Sequence, residues 1–377
     1  MLVVGMDGQS LMGGGATGLG RYTRSLIDAF DDWGGEVKVV LYQPKGKKYQ
    51  SGFKSTFQRI MWDQYGVVTQ AMSDKLDVFH SPCFSLPAIL KFPRVITIHD
   101  LIVLKRPRFM TGPSRYYFSK VIPWSVKYAD HIITNSDTTR KDVIKYLRVP
   151  ETKVTALPLA PTLSREEIIP MDIVNSFQSK FKIHGPYVLF VGSFEYRKNI
   201  ETLITQFKRV NREYPEMKLV LVGGKNQYQE KIKSLVQNKG MLEKVVFTDY
   251  LNRRQLMVAY RGSAVAVCPS LDEGFGLPVV DAMEMGTPVI ASKIPAHVES
   301  AGGAAMFFDL IAEGQLGDNM LKIISDNDFR NKQIQKGNER VRQLSWNVHA
   351  RKTVEIYYKV VNEARKKRKI KERKGHG

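Results

Sequence analysis

The stretch that most restricts what this chain can fold into is Pro269-Ser-Leu-Asp-Glu-Gly-Phe-Gly-Leu-Pro-Val-Val-Asp-Ala-Met-Glu-Met-Gly-Thr-Pro-Val-Ile-Ala-Ser292. An apolar run from Ala264 to Cys268 precedes it, with the length and β-branched content of a buried strand. Leu277 to Met285 reads as a helix, with Pro278 tolerated in its first turn, and Pro288 to Ala291 as a second buried strand. Strand, tight glycine loop, helix and strand make the βαβ unit of a parallel sheet. Gly274 and Gly276 let the backbone bend sharply and let a ligand approach closely. The helix start behind them offers N–H groups to an anion. Glu273 falls in the loop at the carboxyl end of the strand, where open α/β sheets bind ligands. Asp281 follows about two helical turns later. One carboxylate in the loop and one on the helix are placed to hold the hydroxyls of a polyol. Locally, the same residues also fit a helix cap at Glu273 and a solvated Asp281.

Length and charge set the frame. A chain of 377 residues has room for two α/β domains, and 43% hydrophobic content is ordinary for a globular protein. Cys83 and Cys268 are the only cysteines, both in apolar strand-like contexts, which excludes a disulfide framework and fits a reduced cytoplasmic compartment. The apolar start Met1 to Met6 meets Asp7 too soon for a signal peptide, and no run approaches the roughly 18 apolar residues of a membrane span. The expectation is a soluble protein or one peripheral on the inner face of a membrane.

The net charge of +20 is the unusual quantity. The last fifteen residues hold eight basic and two acidic side chains, and Lys366 onward reads as a frayed, solvated tail. Between Leu101 and Ala129 stand Lys105, Arg106, Arg108, Arg115, Lys120 and Lys127 with no acid, interleaved with Phe109, Tyr116, Tyr117, Phe118 and Trp124. Lys45, Lys47, Lys48, Lys54 and Arg59 form a second acid-free block. Stretches 45–59 and 105–127 are therefore candidate contacts for anionic lipid headgroups or nucleic acid, with a solvated basic helix as the plain alternative.

Taken in order, the first half alternates strand and helix. Strands are expected at 2–6, Val37–Leu41, Val78–His80, Val95–Ile98, Ile132–Asn135 and Val154–Leu157, with helices at Arg21–Asp31, Ser114–Tyr128 and Thr138–Leu147 between them. Leu157-Pro-Leu-Ala-Pro-Thr162 breaks the pattern, and the second half repeats it at Val188–Val191, Leu219–Val222, Val245–Thr248, Ala264–Cys268, Val289–Ala291 and Ala305–Phe308. A final helix opens at Ser345-Trp-Asn-Val-His-Ala and runs through Tyr357. The expected domains are 1–165, 166–345, and a closing helix with basic tail over 346–377. Two such halves make a natural cleft for a ligand.

Other motifs weigh less by themselves. Gly13, Gly15 and Gly18 satisfy G-x-G-x-x-G, yet about six residues separate them from the preceding strand. A glycine-rich loop near the mouth of a cleft fits better than a dinucleotide site. His99-Asp100 ends a strand, with no serine or cysteine nucleophile implied nearby. Arg197 and Lys198 beside a helix start suit a diphosphate, although a solvated basic pair is locally the commoner reading. Asp326-Asn-Asp328 reads as a helix N-cap rather than a metal motif, and no His/Cys/carboxylate cluster has metal spacing.

Glu-Gly-Phe-Gly-Leu-Pro, then an acid, then Gly-Thr-Pro-Val-Ile-Ala-Ser resembles the donor-site signature of retaining glycosyltransferases of family 4, with the GT-B fold. The resemblance spans most of residues 1–357. It implies two Rossmann-like domains facing across a cleft, an acceptor domain and a donor domain, with the last helix crossing back to the first. It further implies transfer of a sugar from a nucleotide sugar, GDP-mannose or a UDP-sugar, to an acceptor hydroxyl of a polysaccharide or lipid-linked glycan. No cofactor, metal or nucleic acid is expected.

In the roles the resemblance implies, Glu273 and His99 contact the donor sugar, and Lys198 and Arg197 clamp the diphosphate. Asp281 takes the ribose, while Gly274, Phe275, Gly276 and Leu277, with Gly15 and Gly18 of the first loop, approach the nucleotide. Two departures stand out: Asp281 replaces the family's second glutamate, and Ser193 stands where many relatives have arginine. Glu299 reads as a structural or supporting residue. A same-fold epimerase and a basic nucleic-acid-binding protein remain as other classes.

Overall fold

The computed structural model describes residues 1–12, 17–33, 35–44, 58, 60–87, 89–110 and 112–374. Gly15 and the lysines and arginine of the 45–59 block lie outside the described residues. The chain forms two compact units, one of residues 1–159 with 346–377, the other of residues 160–345.

In the first unit the strands are β1 (Leu2–Asp7), β2 (Val37–Tyr42), β3 (Val78–Ser81), β4 (Arg94–Ile98), β5 (His131–Thr134) and β6 (Val154–Ala156). They pair in parallel in the order β2-β1-β3-β4-β5-β6. The second unit holds β7 (Tyr187–Val191), β8 (Lys218–Val222), β9 (Val245–Phe247), β10 (Val265–Cys268), β11 (Val289–Ser292) and β12 (Met306–Phe308), in the parallel order β12-β11-β10-β7-β8-β9. All twelve strands expected from the sequence are present, with ends shifted by a residue or so. Their near-continuous apolar runs are what burial on both faces demands. In the second unit, alternate residues divide between two cores. Leu189, Val220, Ala266 and Ala291 enter one, and Val188, Phe190, Leu219, Leu221, Val265, Val267 and Ile290 enter the other.

Two boundaries differ from expectation. Residues 160–165 side with the second unit because their polar groups are anchored there. The Thr162 N–H donates to Asp281 Oδ1 at 2.7 Å, and its hydroxyl lies 3.1 and 3.2 Å from the two oxygens of that carboxylate. The Arg165 N–H donates to Glu284 Oε1 and its guanidinium to Asn338 Oδ1. The basic tail is not frayed at Lys366: the last helix runs unbroken over Trp346–Lys374. Its lysines, arginines and glutamates are good helix formers, and Arg368 pairs with Glu372 one turn on. This helix belongs to the first unit and packs along the Gly18–Asp31 helix and against β3 and β5. Among the described residues, no helix is long and apolar enough to cross a membrane.

A buried polar line ties the closing helix to the first sheet. The Tyr22 and Thr97 hydroxyls lie 3.1 Å apart, His80 Nε2 is 2.8 Å from Thr97 Oγ1, and His80 Nδ1 is 2.6 Å from the Tyr357 hydroxyl. Burial keeps the nearby imidazoles neutral, lowering His80 to about 3 and His99 and His349 to about 4.

An unfolded, solvated histidine titrates near 6.5, so below that pH the unfolded chain binds protons that the folded unit refuses. Stability is therefore full above that value and falls as the pH drops toward 4, by at most about 1.4 kcal/mol per pH unit for each histidine. Thermal melts followed by circular dichroism should show a declining midpoint between roughly pH 6.5 and 4.5. A flat midpoint across that window would contradict the buried neutral histidines. In urea, Asp281→Ala should destabilise the second unit by about 2–3 kcal/mol because it strands the buried Thr162 N–H. Asp281→Asn, which keeps an acceptor oxygen, should cost less; equal stability of wild type and the alanine variant would refute the anchor.

Candidate active site

The second sheet changes direction between β7 and β10, which are neighbours although three strands apart in sequence. Chains leaving two adjacent strands on opposite sides open a crevice at their carboxyl ends, the usual ligand position in such sheets. The loop after β7 is Gly192-Ser-Phe-Glu-Tyr-Arg-Lys-Asn199, and the loop after β10 is Pro269 to Gly276. Two bonds lock them together: Asn199 Nδ2 donates to Pro269 O at 3.1 Å, and the Leu271 N–H donates to Arg197 O at 2.7 Å. Gly276, at φ +97°, is the N-cap of the Leu277–Glu284 helix, and a Cβ there would lie 2.8 Å from His297 Cδ2. Both the dihedral and the space require glycine.

Held by this frame, Glu273 accepts from Lys198 Nζ and from the Ser270 hydroxyl (2.8 Å) on Oε1, and from Arg197 Nη1 (2.9 Å) on Oε2. Arg197 Nε also donates to Glu195 Oε2 at 2.7 Å. Lys198 is only 8% exposed. Burial alone would raise the Glu273 carboxyl. The Lys198 ammonium and the Arg197 guanidinium outweigh it and hold the carboxyl well below the usual carboxylate range. Glu195 is likewise lowered, Arg197 overcoming its burial. A carboxylate pinned as an anion is no proton donor near neutrality; it is an acceptor for hydroxyl hydrogens. Two cations at the start of a helix suit an anionic ligand, to which that helix end adds its own partial positive charge. Cys268, beneath the loop, is pushed up to about 12 by burial and offers no thiolate.

Of the residues singled out in the sequence, Glu273, Arg197 and Lys198 come together directly. Gly274, Phe275, Gly276 and Leu277 form the turn into the helix. The Phe275 side chain is 2% exposed, so that residue can present only backbone to a ligand. Asp281 is fully buried and its carboxylate is engaged by Thr162. The register explains this: Asp281 is the fifth residue of the Leu277–Glu284 helix, on the side that faces residue 162. The Glu299 carbonyl accepts from Arg340 Nη2 at 2.9 Å, and Asp326 caps the Asn327–Val341 helix by accepting from the Phe329 N–H.

His99 and Gly18 belong to the first unit. Gly18 opens the Gly18–Asp31 helix behind the Thr17 cap, and a side chain there would meet open space. His99 lies just past β4, its ring edge-on to Tyr22 (centroids 4.7 Å apart) and Phe84 (5.8 Å). Nε2 is 2.8 Å from Pro82 O. Only an N–H can bond to that carbonyl, so Nδ1 is left as an acceptor.

Sequence reasoning missed Glu195, Ser270 and a glycine pair. A Cβ on Gly223 would stand 2.1 Å from Gly192 O, and one on Gly224 would stand 2.1 Å from the Tyr250 ring. The loops after β7, β8 and β9 therefore close on one another only because these two residues lack side chains. The visible signal was two glycines directly after a strand.

Residues 173–340 match the family model described as glycosyl transferases group 1, and residues 16–161 match that of glycosyltransferase family 4. The chain is 26% identical over 292 residues to O-antigen chain mannosyltransferase B of Escherichia coli, covering 76% of each protein. Its fold is similar to that of a sucrose-phosphate synthase from Thermosynechococcus elongatus, with TM-score 0.74 and 20% identity, over 96% of this chain and 100% of that one. It is also similar to Anabaena Alr3699/HepE in complex with UDP-glucose, with TM-score 0.70 and 18% identity, over 94% and 100%. With two parallel six-stranded α/β units and both family models in register with them, the chain belongs to the group 1, family 4 glycosyltransferases of GT-B fold, enzymes that move a sugar from a nucleotide-sugar donor to an acceptor.

Proposed function

We propose that this enzyme transfers mannose from GDP-mannose, with retention at the anomeric carbon and without a metal, to a hydroxyl of a growing polysaccharide or lipid-linked glycan. The observation that carries the reading is the part-buried cluster in which Lys198 and Arg197, just before the Ile200–Glu213 helix, ion-pair with Glu273 in the loop that leads into the Leu277–Glu284 helix. The mannosyl choice follows the E. coli relative. A UDP-sugar is the second reading, favoured by the likeness to HepE with UDP-glucose. The family match favours transfer over epimerisation or nucleic-acid binding.

In this mechanism the bond between the anomeric carbon and the diphosphate breaks while the acceptor oxygen bonds to the same face. The acceptor proton passes to a departing phosphate oxygen, so no protein base is needed. Lys198, Arg197 and the helix amides stabilise the growing negative charge, which is the service a metal would otherwise supply. Glu273 exchanges part of its contact with the two cations for sugar hydroxyls. His99 offers Nδ1 as an acceptor for a hydroxyl hydrogen. In this reading Asp281 serves the site by fixing residue 162, and a ribose contact would require it to loosen Thr162.

On the acceptor side we retain the anionic membrane as a partner for residues 105–127, with a narrower footprint. Arg106, Arg108, Arg115, Tyr116, Lys120 and Lys127 are exposed. Lys105 instead pairs with Asp142 at 2.7 Å. Tyr117 and Phe118 pack against the first unit's core.

Lys198→Ala and Glu273→Ala should each lower kcat/KM for labelled mannose transfer by about a thousandfold, roughly 4 kcal/mol. Their circular dichroism should be unchanged, and wild-type activity should survive EDTA. Retention of about a tenth of the activity by either variant would refute the assignment. The wild type should float with phosphatidylglycerol vesicles and not with phosphatidylcholine vesicles, and Arg106→Glu/Arg108→Glu/Arg115→Glu should abolish flotation. Equal partitioning between the two lipids would rule out the electrostatic contact.

A further inference from the structure

Behind the donor loop stands His297, which the mechanism above does not use. It lies on the Pro295–Ala301 helix and is 1% exposed. Its Nδ1 is 3.1 Å from Ser292 Oγ and 3.2 Å from Ser292 O. The carbonyl can only accept, and the Ser292 hydroxyl already donates to Ser270 O at 2.6 Å. Both neighbours therefore require the ring proton on Nδ1. Nε2 is left with a lone pair that no hydrogen bond reaches among the described residues.

That bare nitrogen is on the ring edge that meets the loop. A Cβ on Gly276 would lie 2.8 Å from Cδ2, 3.3 Å from Nε2 and 3.3 Å from the Ser300 hydroxyl. The charged groups acting directly on the ring are Glu273 and Lys198, and Arg197 shares Glu273. Across its own helix, Arg340 is turned to the carbonyls of Glu299 and Ser300. Asp281, on the Leu277–Glu284 helix, is engaged by Thr162. A buried imidazole with an open acceptor nitrogen thus abuts the N-cap where an anion would bind, and it takes part in the same hydrogen-bonded chain, through Ser292 and Ser270, as Glu273.

We propose that His297 is a donor-linked proton site: when the diphosphate of a nucleotide sugar settles at the start of the Leu277–Glu284 helix, a proton from solvent moves onto Nε2, and the imidazolium becomes a third cation of the donor site. This rests on the donor-site reading above. Burial keeps His297 neutral, lowered to about 4, while Glu273 already faces two cations. An added dianion nearby shifts the balance toward the charged ring. Because the bound state then holds the proton more tightly, affinity rises as the pH falls, by at most about tenfold per pH unit.

The test is calorimetric titration of the full chain with GDP-mannose and with UDP-glucose, from roughly pH 8 to 5.5, in pairs of buffers that differ in ionisation enthalpy. These diphosphate diesters carry constant charge over that range, so proton uptake reports the protein. Wild type should take up a growing fraction of a proton on binding and bind more tightly toward acid. His297→Asn keeps an N–H for Ser292 and removes Nε2; it should bind without proton uptake and with a flat pH profile. Uptake absent in wild type, or equal in His297→Asn, overturns the proposal, and the wild-type arm needs no variant to fold. Failure of wild type to bind either donor overturns the donor-site reading itself and this inference with it.

Discussion

The interaction on which the second unit's site depends is the ion cluster around Glu273. A carboxylate taken out of water is unstable unless matched, and here two cations and a serine hydroxyl match it. The match requires the loop after β7 to lie against the loop after β10, and the Asn199 side chain and the Arg197 carbonyl keep it there. Much of the local sequence follows from that contact. Asn199 adopts φ +54° to turn the chain into the next helix, Gly223 yields its Cβ to the Gly192 carbonyl, and Gly276 yields its own to His297. The cations and the carboxylate satisfy one another. In the proposed reading the cluster is preorganised for an anion and a set of hydroxyls, and the arriving groups need only replace contacts that already exist.

The first unit solves a different problem. Its buried His80, His99 and His349 sit among aromatic rings and hydrogen-bond hydroxyls or backbone carbonyls, so neutrality is the stable state. His80 works as a two-ended connector between Thr97 and Tyr357, and His99 has its tautomer set by a backbone carbonyl. Neutral imidazoles in fixed tautomers are directional hydrogen-bonding groups rather than charges, which suits recognition of hydroxyls. The two units thus divide the chemistry, one carrying matched charge and the other neutral polar groups.

Much of this was legible in the sequence. Apolar runs of strand length alternating with helical periodicity determined the α/β class and all twelve strands, because burial of a parallel sheet on both faces leaves little freedom in composition. The glycine spacing after β10 determined a sharp turn into a helix, and Glu273, Arg197 and Lys198 were identifiable as the polar groups at strand ends. The continuous helix through Lys374 was legible in principle from its helix-forming residues, but a run of like charge looks equally like a solvated tail.

Only the tertiary structure decided which strand ends meet. Residues 192–199 and 269–276 are some seventy positions apart, and nothing local says that β7 and β10 are neighbours; the sheet order places them at its reversal point. The same holds for Asp281, whose distance from Glu273 suggested a shared ligand. Helix register turned it toward Thr162, an anchor 119 positions away. His297 looked unremarkable in sequence, and its open nitrogen exists only because Ser292 and Gly276 converge on it in space. Secondary structure and the residue types of the site follow from short-range sterics and burial, which a sequence displays. Pairing of charges and choice of partner follow from long-range packing, which it does not.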